Sequence, residues 1–224
     1  MSGKTATSST RAPRPDRATS TREAILTAAE QLFAEQGVFA ISNRQVSEAA
    51  GQGNNAAVGY HFGTKADLVR AIVRKHNAFV EADRERLLTE YAGSTAIRDW
   101  VTCLIRPTTD HLATLGNPSY YARFCAQVMT DPTLRPILYT EALTSPALQR
   151  TLESWDACFP TLPPEIRSQR RDFGRLLLVH GCAEYERTLA EGSPTPHPTW
   201  QAFGANLIDA TVAIYQAPLT PESR

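Results

Sequence analysis

The chain has 224 residues, 42% of them hydrophobic, and its 23 Lys and Arg balance its 23 Asp and Glu to a formal net charge of zero. This composition is that of a globular protein with either one large domain or a small domain joined to a larger one. Apolar residues recur three and four apart and alternating β-branched runs are few, which excludes a β-sandwich or barrel and predicts an all-α fold.

Charge is distributed unevenly along the chain. Residues 1–78 contain ten Lys or Arg and six Asp or Glu, whereas residues 79–224 contain thirteen and seventeen. The zero net charge therefore does not argue against a nucleic-acid partner for the basic front part of the chain.

Cysteine spacing and the lack of long apolar runs exclude several protein classes. The four cysteines lie more than twenty residues apart and form no CxxC pair, so neither a zinc site nor a redox motif is predicted. No amino-terminal apolar segment and no run of eighteen apolar residues occurs, which predicts a cytoplasmic protein with no membrane partner.

The first nineteen residues are rich in Ser, Thr, Pro and Arg and, after Met1, contain no large apolar side chain. We predict a flexible basic arm over residues 1–19, either a solvated tail or an extension that contacts nucleic acid. Helical spacing begins at Ser20, which forms the pattern of a capping box with Glu23. This first predicted helix ends at Gly37.

Two shorter helices follow, each with its own end signals. Ser42 and Gln45 have capping-box spacing before a helix of barely two turns that stops at Gly51. A third helix is predicted to begin with Asn54 or Asn55 as its N-cap and to end before the next capping box.

Thr64 and Asp67 form that next capping box and open a fourth helix. Its predicted inward residues, at helical spacing, are Leu68, Ile72 and Phe79. Two short helices joined by a glycine turn and packed on a longer first helix are the helix-turn-helix arrangement. We therefore predict a helix-turn-helix domain over residues 20–66 and a larger helical domain over residues 67–224.

Five further helices are predicted in the larger domain, separated mainly by prolines. Their ranges are 95–115, 118–129, 145–158, 164–191 and 198–216. Pro107 lies inside the first of these, where a proline predicts a kink.

The segments SNRQVSEAAG (residues 42–51) and YHFGTKADL (residues 60–68) together resemble the DNA-binding domain of the tetracycline-repressor (TetR) family of bacterial transcription regulators. The resemblance covers about fifty residues near the front of the chain, and behind it only helical character matches. It implies a repressor that binds a palindromic double-stranded DNA operator as a homodimer and is released by a small-molecule effector.

Polar and small residues in the third predicted helix fit the major groove, which excludes bulky apolar side chains at base edges. Asn54 and Asn55 can bond adenine through both amide atoms, and Ala57 can touch a thymine methyl. Gly59 permits close approach to DNA. The two asparagines also fit a cap and a turn. The preceding turn is one residue longer than the common family pattern, which leaves open which of these residues read bases.

The resemblance further implies that Tyr60, His61 and Lys65 hold the phosphate backbone. It implies that Ser42 and Arg44 grip phosphate or a base from the second helix. A cation at Lys65 opposes the helix dipole and so favours a nearby anion. Taken alone, Lys65 also fits a solvated lysine, and Tyr60 also fits a core aromatic.

The last two predicted helices carry apolar residues on more than one side. The resemblance implies that they form a four-helix bundle with the same pair from a second subunit, although burial within one subunit explains the same stripes. The predicted dimer-interface residues are Phe173, Leu177, Tyr185, Phe203, Leu207 and Thr211. Gly204 and Ala205 permit close helix approach.

Aromatic and sulfur side chains collect in the helices of the larger domain, where the resemblance implies an effector pocket. The predicted ligand-binding residues are Trp100, Cys103, Leu104, Tyr121, Phe124, Cys125, Val128, Trp155 and His180. Such a lining favours an apolar or aromatic effector. Ordinary core packing explains the same residues, and a histidine in an apolar helix also fits a hydrogen-bonded core residue.

An enzyme is the alternative class. The chain contains no GxSxG, HExxH or P-loop motif and its five histidines are scattered, so we predict no catalytic residues, metal or cofactor. A small helical enzyme or ligand-binding module built on the carboxy-terminal domain is the alternative to a transcription regulator.

Overall fold

A computed structural model describes residues 17–220 of the chain, and this part consists of ten α-helices without a strand. The helices are α1 (Arg17–Gln36), α2 (Asn43–Ala49), α3 (Ala57–Phe62), α4 (Lys65–Glu90), α5 (Ile97–Thr114), α6 (Tyr121–Thr130), α7 (Arg135–Leu143), α8 (Pro146–Ala157), α9 (Pro164–Ala190) and α10 (Trp200–Gln216). The prediction of an all-α fold with an amino-terminal helix-turn-helix is confirmed. We call α1 to α3 with the first turn of α4 the head, and the rest of α4 through α10 the body.

Two of the predicted capping boxes fix helix starts in the head. The Ser42 hydroxyl accepts from the Gln45 amide at 3.3 Å, and the Gln45 side chain accepts from the Ser42 amide at 2.9 Å. Thr64 and Asp67 make the same reciprocal pair at 3.1 and 3.2 Å. Each pair satisfies backbone donors that the helix itself leaves free, which stabilises a helix by about 1 kcal/mol.

Helix α1 starts earlier than predicted. It already includes Arg17, so Ser20 and Glu23 lie inside the helix and do not cap it, and residues 17–19 belong to α1 rather than to the arm. Residues 1–16 of the predicted arm lie outside the described residues. The helix ends as predicted at Gly37, whose φ of 86° is the left-handed conformation that glycine adopts without strain.

Helix α3 starts later than predicted, because neither Asn54 nor Asn55 is its N-cap. The cap is Ala56, and the helix proper begins at Ala57. The Asn54 side-chain oxygen accepts from the Ala56 amide at 2.9 Å, two residues along the chain. This short local bond stabilises the turn before the helix, a common alternative to capping for asparagine.

The body helices α5, α6, α8, α9 and α10 start and end within three residues of the predicted ranges, and α5 runs through Pro107. The sequence pattern did not predict α7. Pro136 lies in the first turn of α7, where the missing amide has no helical partner to lose. The Asp131 carboxylate accepts from the Thr133 and Leu134 amides at 2.7 and 3.1 Å and orders the chain just before it.

Helix α4 joins the head to the body without a break. The predicted boundary between residues 66 and 67 falls in its first turn, and this division stays a prediction. Leu68 and Ile72 are buried as predicted, whereas Phe79 is 63% exposed and the prediction that it faces inward is wrong. Helix α1 also contacts the body, because the Phe33 ring stacks on Phe124 of α6 with centroids 6.3 Å apart.

Candidate nucleic-acid interface

Most of the predicted DNA-binding residues of the head are exposed. Ser42 and Arg44 lie exposed at the start of α2, and Asn54 and Asn55 lie exposed in the turn before α3. Gly59 and Tyr60 are exposed on α3 itself, with the Tyr60 side chain 86% exposed. Six of the nine predicted DNA-binding residues are therefore accessible at the surface of the head.

Ala57 is the predicted contact that the structure places elsewhere. Its side chain is 7% exposed and belongs to the core of the head with the fully buried Val58. Because α3 begins at Ala57, the first two residues of the helix provide its apolar side and anchor it to the head. The Ala57 methyl thus packs in the head, and the predicted contact with a thymine stays a prediction.

The buried hydroxyl of Ser47 ties the turn to α2. It donates toward the carbonyls of Asn43 at 3.1 Å and Asn55 at 3.3 Å, and it accepts from the Val58 amide at 3.4 Å. Ser47 was not predicted as a site residue. Its only signal in the sequence is a small polar residue on the apolar side of a two-turn helix. It holds the Asn55 backbone in place and leaves the Asn55 side chain at the surface.

Arg22 of α1 is a second contact that sequence reasoning missed. Its guanidinium lies over the Phe62 ring at 4.1 Å from the centroid, and Nη1 donates to the His61 carbonyl at 2.8 Å. It therefore holds the carboxy-terminal end of α3 against α1. Among residues 17–220 it has no carboxylate partner, so its positive charge is not neutralised by the protein.

Lys65 is a further cation of the head with no carboxylate partner within the described part of the chain. Its Nζ donates to the Val38 carbonyl at 2.9 Å, and partial burial lowers the pKa of the ammonium. The side chain is thus held in one orientation at the amino terminus of α4, with donor capacity left over for an anion. It is not the freely solvated lysine of the alternative interpretation.

Arg44 and His61 have other surroundings. The Arg44 guanidinium pairs with Glu48 at 2.8 Å, and this hydrogen bond raises the pKa of an arginine that is already fully charged. The pair is solvent-exposed and so weak that a phosphate can compete for the guanidinium. His61 is half-buried, and its ring meets Tyr60 edge-on at 5.1 Å.

Residues 25–72 match the sequence model of the family described as bacterial regulatory proteins, tetR family. This range runs from the apolar side of α1 through α2 and α3 to the first buried turns of α4, and so contains almost all of the head. Over these residues the helix-turn-helix domain is similar to the tetR family. The exposed polar residues on and beside α2 and α3 lie within this matched range.

Solved structures of tetR-family proteins are similar over most of the chain. A Mesorhizobium loti protein assigned to the family is 16% identical, with 89% of this chain and 98% of that chain covered and a TM-score of 0.49. PfmR, a TetR-family transcriptional regulator of Thermus thermophilus, is 20% identical, with 89% and 97% covered and a TM-score of 0.46. The comparison with curated protein sequences returned no match.

Outside residues 25–72, the residues predicted to bind an effector are mostly packed in the core. Phe124 stacks between Phe33 and Tyr121, and the fully buried Trp155 ring contacts Phe159 and Tyr215 with centroids 5.2 and 4.8 Å away. Also buried or half-buried in this core are Trp100, Cys103, Leu104, Cys125 and Val128. Their surroundings are those of the core-packing alternative.

Burial also decides the chemistry of two of these cysteines. It raises the pKa of Cys103 to about 11 and that of Cys125 to about 12, so both thiols stay protonated near neutral pH. His180, the remaining predicted ligand contact, is exposed beside a groove between α1, α6 and α9. It is therefore neither a core histidine nor part of the aromatic cluster.

Three of the predicted dimer residues are buried within their own subunit, as the alternative of packing within one subunit expects. The Tyr185 ring stacks on Phe203 of α10 at 4.4 Å, and the Thr211 hydroxyl donates to the Leu207 carbonyl at 2.8 Å. Tyr185, Leu207 and Thr211 are each 4% exposed or less. Phe173 is 47% exposed, and Leu177 and Phe203 are half-buried.

The close helix approach predicted at Gly204 occurs within one subunit. A side chain at this position would lie 2.7 Å from the Thr109 hydroxyl of α5, so the glycine allows α10 to pack on α5. The neighbouring Ala205 is exposed.

Residues 17–220 contain neither a membrane-spanning helix nor a cluster of metal ligands. None of their helices combines the length and apolar character that crossing a membrane requires. Nor do they bring three or more His, Cys, Asp or Glu together in a group fit to hold a metal ion.

Proposed function

We propose that the protein is a transcriptional repressor that binds a two-fold-symmetric DNA operator as a homodimer and is released by a small-molecule effector. The observation that carries this proposal is the exposed polar face of α2 and α3 within a tetR-family domain. An exposed Tyr60 beside two exposed asparagines has no packing role in the head, whereas a DNA major groove accepts these groups.

Asn55 is the proposed base-reading residue. Its side chain is exposed while its backbone is held by Ser47, so the amide is presented from a fixed position. Asn54 already uses its side-chain oxygen on the Ala56 amide, which leaves mainly its amino group for DNA. An asparagine with both amide atoms available can pair with adenine in the bidentate manner. Gly59 leaves room for close approach of the DNA.

The phosphate contacts are proposed to come from both sides of this reading position. Lys65 and Arg22 have no carboxylate partner in the described chain and are held by bonds to backbone carbonyls. Ser42, Arg44, Tyr60 and His61 complete the set that the family resemblance implies. Such contacts fix the register of the protein on DNA without reading its sequence.

The proposed dimer uses the outer faces of α9 and α10. Phe173 and Leu176 are 47% and 40% exposed on α9, an unusual exposure for large apolar side chains. A two-fold axis through this surface would present two heads to half-sites about 34 to 36 Å apart or a multiple of this distance.

The proposed effector is an apolar or aromatic small molecule that binds the body. Because the predicted lining is closely packed, binding has to favour an arrangement of body helices in which this core opens. An effector shifts such an equilibrium only through its different affinity for the two arrangements. Release of DNA follows if the open arrangement misplaces the heads.

Selection of bound fragments from random DNA tests the central proposal. We expect enrichment of a pseudo-palindrome, with an affinity that falls steeply as salt rises because bound counterions are released. Sedimentation at micromolar concentration is the companion measurement, and a dimer is expected. Failure to enrich any sequence would contradict the proposal. So would a protein that is a monomer and still binds the selected DNA tightly.

A further inference from the structure

His76 of α4 lies at a point where the head and the body meet. Its side chain is 4% exposed. Its Nε2 lies 2.8 Å from the carboxylate of Glu30 on α1, and its Nδ1 lies 2.7 Å from Nε2 of His111 on α5. One imidazole therefore links a helix of the head, the connecting helix and a helix of the body by two hydrogen bonds.

The partners determine where the protons lie. The Glu30 carboxylate only accepts, so His76 donates to it from Nε2. In its neutral form His76 then accepts at Nδ1, and His111 donates from its Nε2. Burial lowers the pKa of His111 to about 4, so this ring is neutral near pH 7. With a neutral His76 ring, the bonds then run from His111 to His76 to Glu30.

Aromatic stacking places the His76 ring as well. The Tyr121 ring of α6 stacks on it with centroids 3.7 Å apart and an angle of 15°. Tyr121 stacks in turn on Phe124, which stacks on Phe33 of α1, so a second row of contacts also reaches the head. On the outer side, the exposed Phe79 ring lies nearly parallel to His111 at 5.3 Å.

A polar link of this kind restricts geometry more than apolar contacts do. Apolar surfaces tolerate a small slide between helices, whereas a hydrogen bond weakens steeply when its length or angle departs from the optimum. A buried donor or acceptor that loses its partner is costly, because water does not replace it. The observed placement of α1 relative to α4 and α5 brings Glu30, His76 and His111 within hydrogen-bond distance together.

We propose that His76 is a positioning residue for DNA binding, which fixes the orientation of the head on the body through Glu30 and His111. In a dimer the orientation of the two heads sets the distance between the half-sites that they can occupy together. The link therefore determines which half-site spacing the protein accepts, while base preference within each half-site belongs to α3. This inference rests on the proposed operator-binding function.

The test measures spacing preference separately from affinity. Duplexes carry the half-site selected by the wild-type chain, with the separation between half-sites changed by one and two base pairs in each direction. His76→Leu introduces an apolar side chain of similar volume and removes both hydrogen bonds. Glu30→Ala removes the bond to α1 at a partly exposed position. It tests the same link if the His76 variant does not fold.

Two further variants are matched controls. His111→Gln keeps an amide donor near the position of Nε2 and should preserve the link. Leu87→Ala opens a cavity on the same helix, deep in the body, without touching the link. It reports how far loss of stability alone changes spacing preference.

We expect the wild-type chain, His111→Gln and Leu87→Ala to discriminate against the altered spacings. In His76→Leu and Glu30→Ala, the ratio of affinities for the selected and altered spacings should fall by on the order of tenfold. This is the size of a typical coupling between sites. Base preference within an isolated half-site should not change. Folded link variants with the wild-type spacing preference, or equal relaxation in Leu87→Ala, would overturn the inference.

The outcome for the wild-type chain separates the two proposals. Wild-type protein that selects no DNA overturns the proposed function and the inference with it. Wild-type protein that selects a paired site, alongside link variants with unchanged spacing preference, overturns the inference alone. A wild-type chain indifferent to spacing also overturns it.

Discussion

The contacts within the head differ in kind from the contacts within the body. In the head, residues a few positions apart bond one another, as Ser42 bonds Gln45 and Thr64 bonds Asp67. In the body, rings from different helices meet, as Tyr185 meets Phe203 and Trp155 meets Tyr215. The difference teaches that local patterns specify the polar, exposed face of the head, whereas tertiary packing alone decides the role of the aromatic residues of the body.

The largest expected effect comes from truncating the body core. Trp155→Ala removes a fully buried ring that contacts Phe159 and Tyr215, and we expect a loss of about 3 to 5 kcal/mol in the free energy of unfolding. Urea unfolding followed by circular dichroism measures it. Leu143→Ala, at a position that is 52% exposed, is the control and should change stability little. A loss below about 1 kcal/mol for Trp155→Ala would mean that the ring lines an open pocket.

The buried histidine of the body predicts a dependence of stability on pH. The pKa of His111 is about 4 in the folded protein, below the ordinary value of 6.5, because burial disfavours the charged ring. Between pH 6.5 and 4 the unfolded chain therefore binds a proton that the folded chain does not. Stability falls as pH is lowered through this window, by at most about 1.4 kcal/mol per pH unit, and the effect levels off below pH 4.

The difference between wild type and His111→Gln isolates this contribution from the carboxylates that titrate in the same range. We expect the stability of the wild type to fall more steeply on acidification than that of the variant, as measured by urea unfolding at a series of pH values. His180→Gln, which changes an exposed histidine of the body, should follow the wild type. Parallel curves for wild type and His111→Gln would show that His111 does not bury a neutral ring.

Two substitutions in the head separate base contacts from phosphate contacts. Asn55→Ala should relax the preference at one base position, by about 1 to 3 kcal/mol if the contact is bidentate. Lys65→Ala should weaken binding to all sequences alike and reduce the salt dependence. Quantitative binding to the selected site and to single-base variants distinguishes the two patterns. If both proteins bind every duplex like the parent, the assigned roles in the head are wrong.

Much of the head could be predicted from sequence because its signals are local. The spacing of three residues in a capping box identifies the start of α2 and of α4 before any tertiary contact is known. The start of α3 was missed because the same residue type has two local options, and Asn54 bonds two residues on rather than three. Arg22 was missed because its partner, the end of α3, is 39 residues away.

Residue roles in the body could not be predicted in the same way. Periodicity shows that α9 and α10 are apolar on more than one side, but it does not say which side meets the same subunit. It therefore could not predict that Tyr185 packs on Phe203 of its own chain. Helix α7 was missed because Pro136 is a helix breaker in an interior and a tolerated residue in a first turn. The link through His76 joins three helices that no sequence spacing relates.

Glycine substitutions give the smallest expected effect and the sharpest contrast between the two regions. At Gly59 of α3 an added Cβ would meet no atom within 4 Å, so Gly59→Ala should stabilise the free protein by about 0.5 to 1 kcal/mol through the reduced freedom of the unfolded chain. At Gly204 the same change collides with Thr109 and should destabilise the body. Thermal unfolding of the two variants measures both signs.

If Gly59 is there to admit DNA, the stabilised variant must also bind the selected operator more weakly than the parent. A Gly59→Ala protein that gains stability and keeps full affinity would mean that α3 does not approach DNA at this position.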